Sequence, residues 1–206
     1  VDDIYLNTSL VQPPLRDDSM NMHLERDVMT LRQTFEGLRS QDLDEVAARA
    51  LSARRIWVIG FRNSYFFASY VRRQIIQVRP DVTLLPMPGQ LPAEDLAHAS
   101  SDDLAIAVGL RRRPPQLRTL MTQLNELGVP IAYVTDRGAV STKRLATWPL
   151  PCQTRGMSLF DSYVGVISLL NYLCTEIAAL AGEAGRERLR RIEDLMDEAG
   201  EIDSSR

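Results

Sequence analysis

Two short joints carry the residues best suited to chemistry, 60-GFRNS-64 and 109-GLRRRPP-115. Each follows an apolar run that ends in glycine, and each opens into a stretch of helical periodicity. A helix N-terminus offers unpaired N–H groups and about half a positive charge, which favours anions. Glycine lets a backbone approach a ligand closely. The first joint supplies Gly60, Arg62, Asn63 and Ser64, with Ser64 placed to cap the helix that follows. The second supplies Gly109, Arg111, Arg112 and Arg113, and Pro114 or Pro115 suits the first helical position. Hydroxyl, amide and guanidinium donors of this kind hold a phosphate or a carboxylate. An arginine run is otherwise a solvated patch, so the joints matter only if the fold brings them together.

The elements around them predict that it does. Short apolar runs at 55–60, 82–86, 103–109, 130–135 and 147–151 alternate with helical stretches at 64–77, 93–99, 115–127 and 142–146. The runs are nearly continuous rather than alternating, as expected of strands covered by helices on both faces. The predicted fold is α/β, a three-layer sandwich. Its five-stranded parallel sheet takes the flavodoxin-like order 2-1-3-4-5, with extra helices at both ends. In that order the topological switch point lies between strands one and three, where both joints emerge. The expected ligand is therefore an anionic small molecule.

The flanks differ in character. Residues 1–19 show no sustained period. A helix capped by Asp18 or Ser19 follows and ends at Gly37, with Leu24, Val28, Leu31, Phe35 and Leu38 in an a/d stripe. That stripe either packs on its own domain or forms a dimer seam. A second helix is expected over 42–53, capped by Ser40. A long apolar helix over 158–180 and an amphipathic one over 183–197 close the chain. The expected division is an arm and linker helix (1–40), the α/β domain (41–182) and a C-terminal amphipathic helix with its tail (183–206).

Composition narrows the function classes. With a net charge of -3, 45% hydrophobic and 25% charged residues, the chain is no basic nucleic-acid surface. The longest uncharged apolar-rich run, 162–175, falls short of the roughly 18 residues of a membrane span. No membrane partner and a cytoplasmic location are expected. Cys152 and Cys174 have no histidine nearby and read as buried free thiols, not as a disulfide or a metal site. His23 and His98 are expected away from the C-terminal ends of the strands. Asp136 and Asp161 fall at the right end of the sheet but read as turn and cap residues. Glu94 and Asp95, after strand two, read as turn and helix-start carboxylates. No acid–base pair stands out, so no catalytic residue and no cofactor are expected.

Residues from about 23 to 180 resemble the sugar isomerase (SIS) domain of RpiR-type transcriptional regulators. The resemblance is carried by 24-LERDVMTLRQTFEGL-38, 55-RIWVIGFRNSYFFASY-70, 103-DLAIAVGLRRRPPQLRTL-120, 130-PIAYVTDRGAVSTKRLA-146 and 155-RGMSLFDSYVGVISLLNYL-173. It implies a five-stranded parallel sheet, a homodimer, and a phosphosugar held by the loops after strands one and three. It also implies DNA contact only through a helix-turn-helix domain that nothing in residues 1–40 is large enough to be. Thr135, Asp136 and Ser158 complete the expected ligand set. The family's second loop has an S-x-S-G-x-T arrangement. Here the aligned positions are Gly109, Arg111, Arg112 and Pro114, so guanidinium groups replace hydroxyls. A sugar acid or another carboxylate is therefore as compatible as a sugar phosphate. The expected role is an effector-binding domain, with a phosphosugar isomerase of the same superfamily as the alternative.

Overall fold

A computed structural model describes residues 19–156 and 160–201. Along the chain run α1 (Ser19–Glu36), α2 (Ser40–Ser52), β1 (Ile56–Gly60), α3 (Asn63–Val78), β2 (Val82–Leu85) and α4 (Pro92–Leu96). Then come β3 (Leu104–Gly109), α5 (Pro115–Glu126), β4 (Ile131–Asp136), α6 (Val140–Lys143), β5 (Trp148–Cys152) and α7 (Val164–Ala199). The strands pair in the order β2-β1-β3-β4-β5, every pair parallel. Both the α/β class and the order 2-1-3-4-5 agree with the expectation from sequence.

Alternation along the strands makes two cores. Ile56, Val58, Ile106, Val108 and Val134 face one side, beneath Val46 of α2, Phe67 of α3 and Leu169 of α7. Trp57, Ile59, Ala107 and Tyr133 face the other, beneath Leu117, Met121 and Leu124 of α5. Residues on both sides are buried, which is why the strands read as continuous apolar runs.

The two strand-ending glycines are packing residues. A Cβ on Gly60 would strike the Ser64 carbonyl oxygen and lie 2.8 Å from the Ala68 Cβ. A Cβ on Gly109 would strike Leu117 and lie 2.6 Å from the Tyr133 hydroxyl. Close helix–strand approach by itself requires a glycine at both positions.

Several helix expectations also change. α2 begins at Ser40 itself, with Arg39 at the cap position, and Arg39 forks onto Asp42. α7 runs through both predicted C-terminal helices and is broken at Gly182, where φ is 56° and ψ is -135°. Residues 160–163 are not helical, so the long helix starts later than expected. Ser158 lies outside the described residues. α7 also holds an 18-residue window of mean hydropathy 1.7, long and apolar enough to cross a membrane, contrary to the expectation that no run is. Val166, Leu169, Leu170, Leu173 and Ile177 on that helix are fully buried in the sheet's core, the stripe of a core helix.

α1 turns its threonines inward. Thr30 and Thr34 are its buried residues, whereas Leu24 is 58% exposed and Phe35 37%. Gly165 of α7 leaves room for Thr34. The a/d stripe is thus only partly covered by its own domain. Cys152 and Cys174 are free and buried, and burial pushes both thiols up to about 12.

Candidate functional site

The turn after β1 is tight and strained. Arg62 holds φ 53° and ψ -128°, a conformation that side chains other than glycine rarely adopt. The N–H groups of Ser64 and Tyr65 donate to the Phe61 and Arg62 carbonyls at 3.0 Å each. Ser64 is inside α3 and buried, and its Oγ accepts the Leu110 N–H at 3.4 Å. It therefore fastens one joint to the other instead of capping the helix.

The joints meet, with Arg62, Asn63, Ser64, Leu110, Arg111 and Arg112 around a hollow of about 190 Å³. Phe61 lines it too, and Phe160, Asp161 and Tyr163 close it from the non-helical segment before α7. Arg111 Nε lies 3.4 Å from Asp161 Oδ2. Burial raises the Asp161 pKa, the Arg111 and Arg112 guanidiniums oppose that rise, and Asp136 adds to it. The hollow is thus cationic, and a partly buried carboxylate occupies one of its arginines.

Other expected ligand residues stand behind the wall. Arg113 Nη1 donates to Asp136 Oδ2 and, at 3.3 Å, to the Gly109 carbonyl. Thr135 Oγ1 donates to that same carbonyl at 2.7 Å, and Asp136 Oδ1 accepts the Gly138 N–H at 2.8 Å. Gly60, Gly109, Arg113, Thr135 and Asp136 do not line the hollow. Gly60 ends β1, and the other four tie the ends of β3 and β4 together beneath it. Sequence reasoning read Asp161 as a cap and missed Phe61, Leu110, Phe160 and Tyr163. Phe61 and Leu110 sit within the two joints, and Phe160 and Tyr163 in the non-helical segment before Val164.

A wider groove of about 720 Å³ adjoins the hollow and shares Asn63, Phe160, Asp161 and Tyr163 with it. Its other walls include Phe66 and Phe67 of α3, Ile167 of α7, and His23 and Asp27 of α1. This overturns the expectation that His23 lies away from the C-terminal ends of the strands. α1 is tied across that end of the sheet. Arg137 Nη2 donates to the Gln33 carbonyl at 3.0 Å, the Gln153 N–H to Thr34 Oγ1 at 3.1 Å, and Ser162 Oγ to Asp27 Oδ1 at 2.7 Å. His23 Nε2 sits 3.2 Å from Asp27 Oδ2. His98 is exposed, and Glu94 accepts the Leu91 N–H at the start of α4. Neither lines the hollow or the groove. Among the described residues no group of three or more His, Cys, Asp or Glu is placed to hold a metal ion.

The SIS domain family matches residues 51–174. No curated protein sequence matches the chain. Among solved structures, the sugar isomerase domain of an RpiR transcription factor from Sphaerobacter thermophilus is similar, at 24% identity and TM-score 0.79. That match covers 86% of this chain and 99% of that one. The Vibrio vulnificus NanR protein complexed with ManNAc-6P is similar at 17% identity and TM-score 0.74, over 89% of this chain and 70% of that one. MJ1247 from Methanococcus jannaschii, for which a 3-hexulose-6-phosphate isomerase function was inferred, is similar at 12% identity and TM-score 0.55. That match covers 84% of this chain and 91% of the other. Family match, strand order and the meeting of both joints at the switch point agree: the chain belongs to the SIS domain family.

Proposed function

We propose that this chain is the effector-binding domain of an RpiR-type transcriptional regulator, and that its effector is a sugar phosphate or another anionic sugar derivative. The observation that carries the reading is the hollow between the two joints, where Arg111 and Arg112 face Asn63 and Ser64. NanR, similar in fold, is complexed with a phosphosugar, which supports the ligand class. Arg62, Asn63, Ser64, Arg111 and Arg112 are the proposed contacts. In this reading the domain core is 41–182, DNA is met through a helix-turn-helix domain outside this sequence, and the protein works in the cytoplasm.

The test is calorimetry with sugar phosphates, sugar sulfates, sugar acids and their neutral parents. A charge-assisted hydrogen bond contributes about 1.5–3 kcal/mol, so Arg111→Ala should weaken anion binding about 10- to 100-fold. Asp161→Asn should tighten it, because the carboxylate competes with the ligand for Arg111. The sign with pH follows: as pH falls through the raised pKa of Asp161, the carboxyl neutralises, Arg111 is released and a sugar sulfate binds more tightly. Asp161→Asn should remove that slope. Neutral parents binding as well as the anions would reject the reading.

A phosphosugar isomerase is the second reading, favoured by the His23–Asp27 pair on the groove wall. Solvent deuterium entering an aldose or ketose phosphate at the carbon next to the carbonyl would establish it in place of the first.

The proposed assembly is a homodimer with its seam on α1. Met20 (84% exposed), Leu24 (58%) and Phe35 (37%) of α1, with Tyr172 of α7 packed edge-on against Phe35, are apolar side chains that the domain leaves exposed. Light scattering should report twice the chain mass at micromolar concentration, and a monomer throughout would remove the seam.

A further inference from the structure

We infer that the ligand of the arginine hollow is an anion bearing an apolar substituent, and that the substituent lies in the adjoining groove against Phe66, Phe67 and Ile167. This rests on the reading of the hollow as an anion site. Continuity is the first support, since Asn63, Phe160, Asp161 and Tyr163 wall both spaces. A molecule held at Arg111 and Arg112 therefore has the groove as its neighbour, not bulk solvent alone. Size is the second. At about 190 Å³ the hollow falls below the roughly 300–1,000 Å³ usual for small-molecule sites, whereas the groove adds about 720 Å³.

The chemistry of the walls is the third support. Phe66 is 65% exposed and Phe160 78%, so two phenyl rings stand in water beside the hollow. Covering them recovers hydrophobic free energy. Edge-to-face contacts of Phe66 with Phe67 (5.2 Å between centroids) and of Phe67 with Tyr163 (5.3 Å) brace that wall. On the α1 side, His23 pairs with Asp27, and Asp27 also accepts the Ser162 hydroxyl. Those three groups satisfy one another; Arg26, which also lines the groove, has a buried Nε with no hydrogen-bond partner among the described residues, and the aromatic wall is the apolar surface a ligand gains by covering.

Alkyl phosphates test this without knowledge of the natural ligand. Methyl, butyl and octyl phosphate, the last kept below its micelle concentration, are titrated by calorimetry. Four added methylenes, about half removed from water, correspond to about a tenfold gain from butyl to octyl. Phe66→Ser replaces an exposed ring, so folding is retained; it should flatten the series and leave methyl phosphate binding unchanged. Octyl glucoside, with the tail and no anion, should bind at least about tenfold more weakly than octyl phosphate. A flat series with methyl phosphate still bound would overturn the substituent while leaving the anion site standing. Failure of every phosphate to bind would overturn both. A flat series in which Phe66→Ser also dissociates a dimer would give the groove to a second copy of the chain and overturn the inference.

Discussion

Gly60→Val is expected to abolish folding, not merely binding. The added Cβ would meet the Ser64 carbonyl oxygen and, at 2.8 Å, the Ala68 Cβ. One obstacle is backbone and the other is the root of a side chain, so neither can swing away. α3 would have to lift from β1, uncovering Phe67, Ala68 and Val71 of the core. Overpacking a core typically costs about 1–3 kcal/mol, and more where nothing can yield. Most of a typical stability of about 5–15 kcal/mol would be lost once the helix moves. Chemical denaturation followed by circular dichroism measures this, with Gly60→Ala as a milder member of the series. A folded Gly60→Val protein with a wild-type midpoint and no ligand binding would show that the glycine serves ligand approach after all.

Arg113→Ala is expected to destabilise the protein by roughly 3 kcal/mol, where Arg111→Ala costs less than about 0.5 kcal/mol. The Arg113 side chain is 19% exposed and that of Asp136 11%. Removing the guanidinium strands the Asp136 carboxylate in a mostly buried place and takes a donor from the Gly109 carbonyl. The side chain of Arg111 is 45% exposed and, among the described residues, reaches Asp161 at the rim. Adding Asp136→Asn to Arg113→Ala should recover part of the loss, because no uncompensated charge then remains. A double-mutant cycle in urea reads the coupling directly. Equal and small effects of both arginine variants would place Arg113 on the surface with its neighbours.

Much of the fold is legible in the sequence because its signals are local. The runs at 55–60, 103–109 and 130–135 became β1, β3 and β4 within a residue at each end, since burial on both faces demands unbroken apolar residues there. Pro115 opens α5 as a proline in the first helical turn should. Right-handed crossovers then leave few strand orders to choose from, and the order found put both joints at one crevice.

Which way the residues of those joints turn is set by their packing partners. Arg111, Arg112 and Arg113 are consecutive and alike in type, yet Arg111 reaches toward Asp161 at the hollow's rim and Arg113 turns inward to Asp136. Ser64 reads as a cap until Leu110, 46 residues on, supplies the N–H that its hydroxyl accepts. Gly60 also proves to be packed against Ser64 and Ala68. His23 reads as remote until the bonds of Gln33, Thr34 and Asp27 draw α1 across the strand ends. Periodicity specifies which face of an element is apolar, so the sequence by itself determined the sheet, its order and the place of the crevice. A loop side chain takes its direction from charge and packing partners that have no fixed spacing in the chain, so only the tertiary structure decided which residues line the crevice and which brace it.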